Sequence, residues 1–355
     1  MKRRKILNLN ASLTGACIVM LSVPLFITSC LPDEPRLSED LDLPDRLYYY
    51  EGTDSRTATV GRILFYDKRL SANNSVSCSS CHKQELAFAD DKKLSLGFEN
   101  ENTKRNSMGI QDVDHFGTTP LFWDGRENNL VSMVTRPIVD PIEMGSTDME
   151  ELCAKLGSIR DYKILFSKTF GSEEVTEQRI GEALAAFVQS IRTQLFIPDT
   201  NFSHLEGAAK VGAGLFVSKY QCNSCHQIQE AHGYVEAGTF ANIGLESNYQ
   251  DKGLAEVTFQ TEDEGKFRIP SLRNIALTAP YMHDGRFETL DEVLEHYNNN
   301  IQSHPNLDAR LKNPDGTPKV FSISASEKKA IIAFLNTLTS HEMINDIRFS
   351  DPFRH

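Results

Sequence analysis

A mainly α-helical chain built from two similar halves is the fold class that the sequence predicts. Three observations carry this. A Cys-x-x-Cys-His pattern occurs twice, at Cys78-Ser79-Ser80-Cys81-His82 and at Cys222-Asn223-Ser224-Cys225-His226, 144 residues apart. A second pattern, P-x-x-x-D-G-R-x-x-x-L, follows each of them, at 120–130 and at 280–290. Apolar residues recur at helical spacing in several stretches, while strand signals are few. A short echo, Arg105-Asn106 beside Arg273-Asn274, strengthens the case for duplication.

The chain starts with Lys2, Arg3, Arg4 and Lys5, then an apolar stretch over 11–27, then Thr28-Ser29-Cys30. That order predicts a secretory signal over residues 1–29. Its close resembles a lipobox, with Cys30 lipidated and left as the new N-terminus. Removing the signal takes four positive charges from a net charge of −12, which leaves −16. So acidic a chain argues against a nucleic-acid partner. It would suit a basic redox partner instead. No later stretch approaches the roughly 20 apolar residues of a membrane span. Residues 30–50 are acidic and proline-bearing, as a tether should be.

A short helix is expected over 58–65, ahead of the first Cys-x-x-Cys-His. That motif is the attachment signature of a c-type haem. Two thiols three residues apart reach the two vinyl groups on one porphyrin edge, and the adjacent histidine supplies the proximal iron ligand. A disulfide or a redox Cys-x-x-Cys has no need of a histidine next to it in both copies. A zinc site would normally space its histidines differently. Two covalently bound haems c therefore follow, on Cys78, Cys81 and His82, and on Cys222, Cys225 and His226. Cys153 stands alone and reads as a small buried hydrophobe.

Glu177 to Arg192 carries Ile180, Leu184, Phe187, Val188 and Ile191 at helical spacing, with Thr176 as N-cap. A division at about 195–210 follows. It separates an N-terminal haem domain over 51–200 from a C-terminal one over 201–355. Further helices are expected over 289–297 and 326–338. Gly, Asn, Ser and Pro around the motifs predict loops there.

Taken together, both Cys-x-x-Cys-His motifs, FWDGR at 122–126, RPIVDPIEMG at 136–145 and PSLRNIALTAPYMHDGRFETL at 270–290 resemble the bacterial di-haem cytochrome c peroxidase family, which includes the MauG-like maturation oxidases. The resemblance runs from about Thr59 to Leu338. It implies that hydrogen peroxide reacts at the haem of His82. The haem of His226 would receive electrons from a small donor protein of cytochrome c or cupredoxin type. Trp123, the chain's single tryptophan, matches the residue between the haems, though on its own it would read as a core aromatic. Glu143 matches the acid–base glutamate; outside this context it would read as a solvated carboxylate. Asn106, Thr278 and Pro280 match the positions that hold a calcium ion between the domains.

Three departures from the family pattern stand out. No histidine lies between His82 and His115, and the position that caps the first iron in many members falls near Phe98. That would leave the first iron open at rest. Met133 replaces a glutamine on the peroxide side, and a thioether donates no hydrogen bond. The second axial ligand of the C-terminal haem aligns with Tyr297, as in the maturation oxidases; Met282 is the rival. His283 occupies in the second repeat the place of Trp123 in the first, which allows a role near the haems or a structural one. His204, His232, His296, His304, His341 and His355 read as surface residues. The leading expectation is a peroxidase in the periplasm or at the cell surface, lipid-anchored to a membrane, with a homodimer allowed. A MauG-like oxidase acting on a partner protein and a non-catalytic di-haem electron carrier remain the alternatives.

Overall fold

The computed structural model describes residue 41 and residues 55–113, 120–193, 202–227 and 240–353. The signal, Cys30, His115, His232, His355 and most of the expected tether and domain division lie outside the described residues. Within the tether stretch Leu41 is described. It is buried against the first core, and its N–H donates to Asp161 Oδ2 at 3.3 Å.

Helix α1 (Ser55–Tyr66) and α6 (Glu177–Ser190) pack across each other and frame the first core. The crossing is close because Gly61 faces Ala183: a Cβ on Gly61 would lie 1.8 Å from the Ala183 carbonyl oxygen. Leu64, Phe65, Leu184 and Phe187 fill the core beside them, with the Phe65 and Phe187 rings 5.0 Å apart. Between these helices come α2 (Cys78–Cys81), α3 (Leu130–Val139), α4 (Met149–Ser158) and α5 (Arg160–Phe170). Cys153, on α4, packs at the edge of this core.

The second half repeats the arrangement. Helix α7 (Gly207–Gly214) continues into a wider turn, closed by Tyr220 N–H donating to Leu215 O at 2.9 Å. It crosses α10 (Ala325–Asn336), and the contact again sits on a glycine. A Cβ on Gly212 would lie 1.9 Å from the Ala330 carbonyl oxygen. Phe216, Ile331, Phe334 and Leu335 make this second core. Between α7 and α10 lie β1 (Phe240–Ala241), the short α8 (Ala255–Thr258), β2 (Phe267–Arg268), antiparallel to β1, and α9 (Leu290–Asn299). Helix α11 (His341–Ile344) ends the order.

The repeated D-G-R motif folds the same way twice. Leu121 bridges Glu127 and Tyr281 bridges Phe287. Phe122 and Gly125 in one turn, and Met282 and Gly285 in the other, take positive φ. The arginine pairs with the aspartate two residues earlier in each, Arg126 with Asp124 and Arg286 with Asp284. A capped helix then starts, on Asn129 in the first copy and on Thr289, with a capping box to Glu292, in the second.

The expected helices over 58–65, 177–192, 289–297 and 326–338 appear with slightly shifted ends. Helices α3, α4, α5 and α7 went unread. One histidine expectation is corrected. His296 is 3% exposed rather than a surface residue, because it lies on the inner face of α9, where its Nε2 meets the Ile243 carbonyl at 3.0 Å. His204 and His341 are exposed, and His304 is half-buried.

Candidate active site

Ser77 opens the first motif with a reciprocal cap: its N–H donates to Ser80 Oγ at 3.0 Å, which winds one helical turn. The turn sets Cys78 and Cys81 on one side and ends at His82, whose N–H donates to Cys78 O at 3.0 Å. His82 Nδ1–H donates to the Phe88 carbonyl at 2.8 Å, so Nε2 keeps its lone pair for a metal. Burial pushes the Cys78 thiol up to about 12 and the Cys81 thiol up to about 11, and lowers His82 from its ordinary value. Thiols in so apolar a place stay neutral, and the imidazole stays a neutral ligand.

The second motif is built alike. His226 N–H donates to Cys222 O at 2.9 Å, and its Nδ1–H donates to the Pro270 carbonyl at 3.1 Å. Burial lowers His226 to about 4 and raises Cys222 to about 12.

An open cavity is lined by Cys78, Cys81 and His82 and walled by Val76, Ile110, Val134, Leu184 and Val188. Glu143 and Met133 line the same cavity. Two thiols and a neutral imidazole in an apolar slot fit a covalently attached macrocycle with axial iron ligation, and Glu143 is then an acid in its lining.

Local structure explains how Glu143 is presented. Helix α3 ends at Asp140, whose Oδ1 accepts the N–H groups of Ile142 at 2.8 Å and Glu143 at 3.0 Å. Phe98 N–H donates to Glu143 O at 3.0 Å, and the Phe98 ring fills the space where a Cβ on Gly145 would stand. Phe98 thus supports the Glu143 turn from behind and does not line the cavity. Burial first, then the neighbouring Asp140 carboxylate, push the Glu143 carboxyl up to about 7; Arg126 opposes them.

Trp123 leaves the first D-G-R turn and packs among Leu245, Tyr249 and Phe267 of the second half. Its Nε1–H donates to Asn106 O at 2.9 Å, and its carbonyl accepts Arg268 N–H at 2.8 Å. Met282 packs in this same cluster. His283 is buried, its ring stacked on Phe267 at 3.6 Å, and its carbonyl accepts Asn106 N–H at 2.7 Å. Tyr297 packs with Ile301, Leu307 and Leu311, with the thiols of Cys225 and Cys222 nearby. Burial, the larger effect, and those thiols raise the Tyr297 phenol well above its ordinary value. Asn106 Nδ2 donates to the carbonyls of Lys92 and Lys93, at 3.1 and 3.2 Å. Thr278 Oγ1 donates to Ile275 O at 3.4 Å, and Pro280 follows the cis Ala279–Pro280 bond.

Sequence reasoning missed Arg105 except as an echo. Its guanidinium is buried, bonds Asp124 of the first D-G-R turn, and grips Asp251 twice at 2.7 Å, which ties the two halves together. The signal was its pairing with Asn106, which recurs as Arg273-Asn274.

Comparison with known proteins supplies a frame for this geometry. The family model for di-haem cytochrome c peroxidase matches residues 55–205. A cytochrome c551 peroxidase of Nitrosomonas europaea is 32% identical over 298 residues, 80% of each chain. The methylamine utilization protein MauG of Methylorubrum extorquens is 31% identical over 285 residues, 79% of this chain and 77% of that one. Among solved structures, a MauG-like protein associated with microbial copper homeostasis superposes with a TM-score of 0.71 at 34% identity, over 92% of this chain and 99% of that one.

Proposed function

Because this chain belongs to the di-haem cytochrome c peroxidase family, we propose that it reduces hydrogen peroxide to two waters with two protons and two electrons from a small redox protein of cytochrome c or cupredoxin type. The observation that carries this reading is the presence of Glu143 in the cavity that Cys78, Cys81 and His82 line.

Cys78, Cys81 and His82 would hold a haem, which would supply the electron-transfer chemistry at this cavity. Glu143 handles the protons. As a carboxylate it takes the proton from one peroxide oxygen, and as the acid it returns that proton to the other, so that water leaves. A carboxyl held near 7 exchanges protons in either direction at neutral pH. The apolar walls keep bulk water from competing. Met133 offers peroxide no hydrogen-bond donor, so orientation falls to Glu143. Phe98, near the position of the family's capping histidine, carries no group that would ligate a metal held by His82. Cys222, Cys225 and His226 hold the electron-entry haem, and Trp123, packed across the halves, shortens the gap electrons cross. Tyr297, in preference to Met282, would supply a further ligand to that haem. The division is into two cytochrome c-like domains, over 51–200 and 201–355. Asn106, Thr278 and Pro280 would hold a calcium ion, to which oxygen ligands are suited. Cys30 carries a lipid that anchors the protein in the periplasm or at the cell surface. No described helix is long and apolar enough to cross a membrane.

A second reading, a MauG-like oxidase that withdraws electrons from a side chain of a partner protein, draws support from Tyr297 beside Cys222 and Cys225. One experiment separates the readings. The oxidised protein is examined by electronic absorption and EPR, then given one equivalent of peroxide. A high-spin signal that changes at once on addition is expected, followed by turnover with a reduced donor cytochrome. Prompt change without turnover would favour the oxidase. Two low-spin haems inert to peroxide, even after one-electron reduction, would leave an electron carrier and overturn the peroxidase reading.

A further inference from the structure

The chain's last described segment does not stay with its own half. After α10, Leu338 O accepts the N–H of Asn274 at 2.8 Å, and Ser340 N–H donates to Asn274 Oδ1 at 2.7 Å. The loop that carries Asn274 begins at Pro270, whose carbonyl accepts His226 Nδ1–H. The segment then crosses to the first half. Met343 is 1% exposed and Phe349 4% exposed, both inside the first core. Gln84, two residues beyond His82, donates from Nε2 to Met343 O at 3.1 Å and Asp346 O at 2.8 Å. Arg62 and Tyr66 of α1 donate to the carbonyls of Ser350 and Phe349, at 2.6 and 2.7 Å. The Phe349 ring meets the edge of Phe88 at 6.3 Å. Phe88 is the residue whose carbonyl accepts His82 Nδ1–H, and it is held at a positive φ of 59°.

We infer that residues 338–350 form a positioning strut, through which the second half sets the mount of the first proximal histidine. Gln84 and Phe349 are its contact points. The physical reasoning is short. The strength of the Nδ1–H···O=C bond sets how much electron density the imidazole gives a metal at Nε2. The loop 82–89 that carries both ends of that bond has Phe88 and Ala87 in left-handed backbone, a conformation that non-glycine residues keep only when neighbours hold it. The strut supplies those neighbours on one side, and its other end grips the loop that mounts His226. The two proximal histidines are therefore linked by a continuous run of backbone and hydrogen bonds, apart from any route through Trp123.

The inference rests on the reading of Cys78, Cys81 and His82 as a haem mount, and the test separates the two. Wild-type protein, Gln84→Leu, Phe349→Ala and Phe349→Tyr are compared as holoproteins. Intact mass first counts the attached haems; one haem in the wild type, absent from Cys78 and Cys81, would overturn the haem reading itself. With two haems attached, redox titration and the iron–histidine stretch in resonance Raman are measured. Gln84→Leu and Phe349→Ala are expected to lower that stretch and raise the midpoint potential of the first haem alone, and Phe349→Tyr to restore both. Lower thermal stability with both quantities unchanged, or equal shifts at the two haems, would overturn the strut. If Phe349→Ala does not fold, Gln84→Leu, at a half-buried edge, decides the question alone.

Discussion

Glu143 combines a half-buried carboxyl with a carboxylate neighbour, Asp140, and the pair of effects lifts it from an ordinary value of 4.5 to about 7. The consequence for stability has a definite sign. Below about 4.5 the carboxyl is neutral in both folded and unfolded chains and contributes no slope. Between 4.5 and 7 the unfolded chain releases this proton while the folded chain keeps it, so stability falls as pH rises. Above 7 the loss is complete. Glu143→Gln should therefore lose that slope, seen as a Tm difference from the parent that grows from pH 4.5 to 7 and then levels. Turnover of the parent should rise through about pH 7, as the carboxylate form appears. The Gln variant should turn over roughly 10²–10⁴-fold more slowly without that rise. An unchanged peroxide rate would remove Glu143 from the chemistry. The residue scale also shows where spacing misleads. His296 carries no motif that separates it from exposed histidines, yet it is buried where Ile243 packs on it, while His283, marked out by its place in the second D-G-R repeat, is buried against Phe267.

The two helix crossings depend on single glycines. Gly61 on α1 and Gly212 on α7 each stand ahead of a Cys-x-x-Cys-His motif. Each lets a helix backbone touch the last long helix of its half, at Ala183 and Ala330. Any side chain at either position would enter a carbonyl oxygen that belongs to a helix and has little room to move. Gly61→Val and Gly212→Val should each destabilise by about 1–3 kcal/mol or more, measured by thermal unfolding. An unchanged Tm would mean that the crossings tolerate separation. Helices α6, α9 and α10 were legible because amphipathic spacing and a capping residue coincide: Thr176, Thr289 and Ser324 each accept an N–H three residues on. Helix α3 was hidden because Pro137 lies inside it and its end runs into Asp140-Pro141, a pair that reads as a loop. Helices α4 and α5 abut at Ile159, so their two short patterns blur into each other.

Over the whole molecule, charge and connectivity act at long range. A chain with a net charge of −12 attracts a basic donor protein, and salt screens that attraction. Turnover with a basic donor cytochrome should fall by about tenfold or more between low salt and 0.15 M, while turnover with an uncharged small reductant should hold. Equal salt response from both would mean that charge does not guide docking. The halves meet through buried contacts. Arg105 bonds Asp124 and Asp251, Trp123 sits in an apolar cluster of the second half, and the 338–350 segment enters the first core.

By itself the sequence determined the two Cys-x-x-Cys-His mounts, because two thiols and an imidazole within five residues are set side by side by local spacing alone. It likewise determined the duplicated D-G-R turns, whose glycine and arginine act within five residues. The tertiary structure decided what gathers around those mounts. Glu143 reaches the cavity of His82 only because α3 ends at Asp140 and Phe98 backs the turn that follows. Tyr297 comes near Cys225 only because α9 turns that face inward, and the chain's end reaches Gln84 across 259 positions of sequence. Such contacts depend on the packing of distant segments, whose free energy comes from buried surface that no local pattern records.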